Sequence, residues 1–144
     1  MLICIPADVP EMFFLPIAVR SPPPLKRQRY VPHPQPVADQ QPFDTAEEAW
    51  FWFMRAQAAR RDGCRFDGGG GMVRPCEADD VYLVARHLVR AGVLKVLHLR
   101  TLLDFGARDR APDGRVRAEQ AAARLWDEAL DRMSTVLRRK GILA

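Results

Sequence analysis

The chain has 144 residues, of which 48% are apolar and 28% are charged, and its formal net charge is +4. This composition is typical of one globular domain with its own core, and it excludes collagen-like, fibrous and polytopic membrane proteins. No apolar run reaches 18 residues, so we expect no membrane contact. Three cysteines do not make a disulfide framework, which favours a reducing, cytoplasmic location.

Residues 1–42 differ in composition from the rest of the chain. They hold ten of the twelve prolines, whereas all nine glycines come after residue 62. Proline-rich runs favour polyproline II and oppose helix. We therefore predict a disordered or extended arm over residues 1–42, with a basic patch at Lys26–Tyr30, followed by a single helical domain over residues 43–144. We expect no signal peptide, because the N-terminus lacks a basic region and its apolar stretch is interrupted by prolines and acidic residues. That Met12 is the true start of translation is an alternative hypothesis.

The first predicted helix covers residues 44–62. Thr45 and Glu48 have the spacing of a capping box at its start. Its centre is the run Trp50–Phe53, whose four aromatic side chains point to all sides of a helix. Two interpretations stay open, because the helix is either the central element of the core or a surface for a partner. The residues that would face a partner are Trp50, Phe51 and Trp52.

A flexible glycine-rich loop is predicted over residues 63–75, after the first helix. Four consecutive glycines, Gly68–Gly71, give its backbone great freedom. It does not resemble a phosphate-binding loop, because no Gly-Lys-Ser/Thr follows. The only strand candidate is a short hairpin of Cys64–Phe66 with Met72–Val73 around the glycines.

Two short helices are predicted next, over residues 77–91 and 93–105, separated by the break Ala91-Gly92 and ended by Gly106. In the third helix, Val96, Leu99, Leu102 and Leu103 are expected to form the buried arc. Lys95, His98, Thr101 and Asp104 are expected to face outward.

The fourth helix is predicted over residues 117–140, after a polar turn that contains Pro112 and Gly114. Gly141 suits a left-handed cap, and Ile142 lies where a Schellman motif places an apolar contact with Leu137. The fold class expected from these elements is all-α, a bundle of about four helices.

The chain carries no motif that indicates an enzyme, a metal or a cofactor. Cys64, Cys76 and His87 lack the close pairs that zinc sites use, so we expect no metal site. No nucleotide fingerprint, nucleophile elbow or zinc-protease motif is present. We therefore expect a non-enzymatic protein without a cofactor.

Nucleic-acid binding is the first functional interpretation. Two short helices joined by a tight turn resemble a helix-turn-helix arrangement, and we place the binding region at residues 77–117. The third helix would then read base edges, and arginines on either side of it would contact phosphates. The predicted residues are Arg86, Arg90, Lys95, His98, Arg100, Thr101, Arg108, Arg110, Arg115 and Arg117.

A protein-interaction adaptor is the alternative. The aromatic helix 44–62, the proline-rich arm, or both, would dock on a protein partner, since so many large aromatics are hard to bury in about 100 residues. The two interpretations are compatible in a regulator that forms a homodimer through its first helix.

Overall fold

The computed structural model describes residues 39–66 and 71–144. The predicted arm up to residue 38 and the predicted loop residues 67–70 lie outside the described residues. The helices are α1 (Ala46–Arg61), α2 (Ala78–Arg90), α3 (Val96–Ala107) and α4 (Gln120–Arg139). The prediction of an all-α bundle is therefore confirmed.

The predicted hairpin between Cys64–Phe66 and Met72–Val73 is wrong, because neither segment forms a strand. The carbonyl of Val73 instead accepts a hydrogen bond from the amide of Gln41, 3.0 Å away. Over the described part of the chain, β-pairing is limited to one isolated parallel bridge between Phe43 and Leu143.

The start of α1 is fixed by side chains, as its sequence predicts. Thr45 Oγ1 accepts from the amide of Glu48 at 3.1 Å, and the Glu48 carboxylate accepts from the amide of Asp44 at 3.2 Å. The first bond satisfies an amide that the first helical turn leaves free, and the second holds the residue before the N-cap.

The aromatic run of α1 makes this helix the centre of the bundle. Phe51 packs on Trp126 of α4, with ring centroids 5.5 Å apart, and Phe53 stacks on Tyr82 of α2 at 5.4 Å. Trp50 is fully buried and points toward α3. Because α1 contacts the other three helices on different sides, the core interpretation of its aromatics is confirmed.

Gly106 does not end α3, contrary to the prediction. The helix continues to Ala107, and Gly106 is buried where α1 crosses closely. A Cβ atom at this position would lie 2.7 Å from Met54 Cγ and 2.9 Å from Trp50 Nε1. The glycine is therefore required for close helix packing rather than for helix termination.

Two other glycines do end helices as predicted. Gly92 has φ 76° and Gly141 has φ 74°, both in the left-handed region that favours glycine. At the end of α4, the amide of Ile142 donates to the carbonyl of Leu137 at 3.0 Å, which is the bond of a Schellman motif. The turn after Gly92 delays the start of α3 to Val96.

Candidate functional site

His98 is buried and does not face outward, so this prediction is wrong. Only 2% of its surface is exposed. Its Nδ1 accepts from the amide of Lys95 at 3.0 Å, which places the proton on Nε2, and Nε2 donates to the Glu128 carboxylate at 3.0 Å. This hydrogen bond lowers the pKa of Glu128, with Arg132 adding to the effect. His98 thus joins the start of α3 to α4 and has no free edge for a base.

Thr101 is also buried, and its hydroxyl donates to the carbonyl of Leu97 at 2.9 Å. The prediction that it faces outward is wrong as well. Val96, expected in the buried arc, is instead 70% exposed. α3 is therefore rotated about its axis relative to the prediction, so it presents valine and leucine where a reading helix needs polar groups.

The other predicted nucleic-acid residues are exposed, and their arginines outside α3 lie on both sides of it along the chain. Arg86 and Arg90 precede α3, whereas the arginines from 108 to 117 follow it. The twelve residues of α3 that lie between them extend about 18 Å along the helix axis. Arg110 is tied to the Glu119 carboxylate by two hydrogen bonds of 2.6 and 3.0 Å. The exposed residues are Arg86, Arg90, Lys95, Arg100, Arg108, Arg110, Arg115 and Arg117.

The predicted aromatic surface is mostly core. Trp50 is fully buried, so it cannot face a partner, and that prediction is wrong. Phe51 and Trp52 are partly buried and pack against the core. Trp52 lies between Phe43 at 5.2 Å and Phe66 at 6.1 Å, measured between ring centroids. No broad aromatic face is left on α1.

A groove of about 470 Å³ lies between the second half of α2 and the end of α4. Its apolar side chains are Leu83, which is 51% exposed, Val84 and Val136. We call this feature the basic groove, since its other lining residues are arginine, lysine and histidine side chains. Those residues are Arg86, His87, Arg90, Arg139 and Lys140.

The cations of the basic groove have no carboxylate partner among the described residues. The ion pairs of residues 39–66 and 71–144 involve His98 and other arginines, such as Arg60 with Asp79 at 2.7 Å. The groove lies at the carboxyl ends of α2 and α4, where the helix dipoles favour positive charge and hold these side chains. The result is a positive surface above apolar side chains, which suits a ligand that is both acidic and apolar.

Sequence reasoning found two residues of this groove, Arg86 and Arg90, but missed the rest. A usable signal was the spacing of Leu83, Arg86 and Arg90, which share one face of α2. The basic residues at the end of α4 suit the negative end of the helix dipole, and nothing local in the sequence shows that α2 packs beside them.

Residues 39–66 and 71–144 contain no group of three or more His, Cys, Asp or Glu side chains placed to hold one metal ion. Each helix in the described part of the chain is too short or too polar to cross a membrane. Comparison of the chain with protein-family models, curated proteins and solved structures finds no match.

Proposed function

We propose that the helical domain is a non-enzymatic protein-interaction module whose basic groove binds an acidic, amphipathic segment of a partner protein. The observation that carries this proposal is the combination of an exposed apolar floor with cations that lack a carboxylate partner among the described residues. Apolar side chains of the partner would cover Leu83 and Val136. Its carboxylates would meet Arg86 and Arg139 at the edges.

The apolar floor favours a protein segment over a nucleic acid. Nucleic-acid backbones present phosphates and sugars, and their binding surfaces are mainly polar and positively charged. A leucine that is half exposed between arginines gains little from a phosphate, whereas an apolar side chain of a peptide would remove it from water. The proposal therefore keeps the predicted adaptor function but moves its surface from α1 to α2 and α4.

Nucleic-acid binding through residues 77–117 stays a prediction and is an outcome of the same experiment. Its support is the exposure of the arginines on both sides of α3. Binding there would have to use backbone contacts, since His98 and Thr101 are buried.

The proposal is tested by fluorescence anisotropy of the full chain with three labelled probes. The first is an amphipathic peptide of Glu, Leu and Ala, the second replaces each Glu by Gln, and the third is a DNA duplex. The groove variant is Arg86→Glu with Arg139→Glu. Each charge reversal removes an exposed attraction of about 0.5 kcal/mol and adds a repulsion of about 0.5 kcal/mol, so each costs about 1 kcal/mol of binding free energy. The double variant should then bind the acidic peptide about 30-fold more weakly, or about 2 kcal/mol.

The matched control is Arg115→Glu with Arg117→Glu, which changes the net charge equally but lies outside the groove. We expect this control variant to bind the acidic peptide like the wild type. The Gln peptide, which lacks carboxylates, should bind weakly to the wild type and to both variants. Equal losses in both variants would contradict the proposal, because they would indicate attraction to overall charge. Tight duplex binding that both variants weaken would support the helix-turn-helix prediction instead, because Arg86, Arg115 and Arg117 are all among its predicted residues. Far-UV circular dichroism checks that every variant is folded.

A further inference from the structure

The outer face of α3 carries a stripe of exposed side chains whose first two residues, Val96 and Leu97, are apolar. Val96 is 70% exposed and Leu97 is 59% exposed, more than any other large apolar side chain of the described residues. Arg100, Asp104 and Ala107 continue the stripe at helical spacing, and all three are exposed. An association that covers this end of the helix would remove both apolar side chains from water.

The stripe is complementary to itself when two copies are placed antiparallel. A twofold axis that crosses the exposed face of α3 at the height of residue 102 relates position 100 of one copy to position 104 of the other, and position 97 to position 107. Arg100 of one copy would then meet Asp104 of the other, and Leu97 would meet Ala107. The small alanine leaves room for the leucine where the two helices approach.

The two charges of the stripe have no ion-pair partner within the described part of the chain. Arg100 and Asp104 stand at i, i+4 spacing on one helix, yet they do not form an ion pair with each other, whereas Arg132 and Glu128 of α4 at the same spacing come within 3.9 Å. An opposite charge on a second copy would therefore not have to replace an existing pair.

We propose that two copies of this chain associate through α3, packed antiparallel with Arg100 of each copy facing Asp104 of the other. The association is independent of the proposed function, because neither residue lines the basic groove. In the pair, the exposed side of α3 is covered by the second copy and is not free to enter a DNA groove.

The test is sedimentation velocity of the full chain over a range of concentrations. The wild type should show a monomer–dimer equilibrium. Leu97→Glu should shift it to monomer, because it places a carboxylate in the apolar contact. Arg100→Asp and Asp104→Arg should each weaken the dimer about tenfold or more, since the symmetry reverses both ion pairs at once. The double exchange, Arg100→Asp with Asp104→Arg, should restore the wild-type affinity.

Three results would overturn the inference. A wild type that is monomeric at every concentration excludes the association. A dimer that Leu97→Glu leaves intact excludes α3 as its surface. Single reversals that weaken the dimer, without rescue by the double exchange, exclude the antiparallel arrangement. Because Arg100 and Asp104 are exposed, their variants should keep the wild-type melting temperature at a low concentration where the wild type is also monomeric, which separates loss of association from loss of fold.

Discussion

Replacing Gly106 by alanine places a methyl group where α1 and α3 approach most closely. The new Cβ atom would lie 2.7 Å from Met54 Cγ and 2.9 Å from Trp50 Nε1, both shorter than real contacts of a Cβ atom. Trp50 cannot move freely, since its ring nitrogen donates a buried hydrogen bond to the carbonyl of Leu102 at 2.8 Å. Met54 must therefore change its conformation, and either Trp50 or one of the two helices must move as well.

Three contributions decide the size of the effect. Alanine is favoured over glycine inside a helix by about 1 kcal/mol. An extra methyl group in a well-packed interior costs about 1–3 kcal/mol. Displacement of Trp50 would remove its hydrogen bond to Leu102 and cost about 1 kcal/mol more. We therefore expect Gly106→Ala to lower the free energy of unfolding by about 1–3 kcal/mol, against the sign that helix propensity alone predicts.

Urea denaturation followed by far-UV circular dichroism measures this loss. Gly114→Ala is the matched control, because its Cβ atom would lie 3.7 Å from the Cβ atom of Ala123, an ordinary contact. That variant should be as stable as the wild type, or more stable by up to about 1 kcal/mol. If Gly106→Ala were equally neutral or stabilising, the close packing of α1 on α3 would be refuted.

Two other predictions concern single groups. The hydrogen bonds from Arg110 and from the amide of Asp113 lower the pKa of Glu119 to about 2, so they stabilise the fold above pH 4.5 and are lost as the pH falls toward 2. Glu119→Gln should therefore be less stable at neutral pH and lose less urea stability than the wild type on acidification; parallel pH profiles would contradict this. Burial, with the nearby acidic side chains, raises the pKa of Cys76 to about 11. Iodoacetamide at neutral pH should thus alkylate the exposed Cys64 first, and equal rates by peptide mass spectrometry would be evidence against it.

The four helices and several of their ends could be predicted, because local chemistry determines them. Thr45 and Glu48 cap α1 through bonds between residues three or four apart, and Gly92 and Gly141 end α2 and α4 in a conformation that glycine favours. The sequence also indicates that α1 is central, since large aromatic side chains on all sides of one helix require neighbours on all sides.

The orientation of α3 could not be predicted in this way. Its sequence has apolar residues on more than one side, so periodicity does not select one buried face. A buried histidine was unexpected because polar side chains are assigned to the surface unless a partner is known. The partner of His98 is Glu128, thirty residues later, and only the packing of α3 on α4 brings the two together.

The cations of the basic groove differ from five other arginines of the described residues in what they already bind. Five arginines of the described residues hold carboxylates of the same chain, and a ligand that took them would break existing contacts. They are Arg55, Arg60, Arg74, Arg110 and Arg132. Arg86 and Arg139 have no such contact to give up within the described residues, so an acidic ligand gains there without first displacing a carboxylate. Charge counting along the sequence treats both groups alike, whereas the structure shows which arginines already hold a carboxylate and which of the others line apolar side chains between α2 and α4.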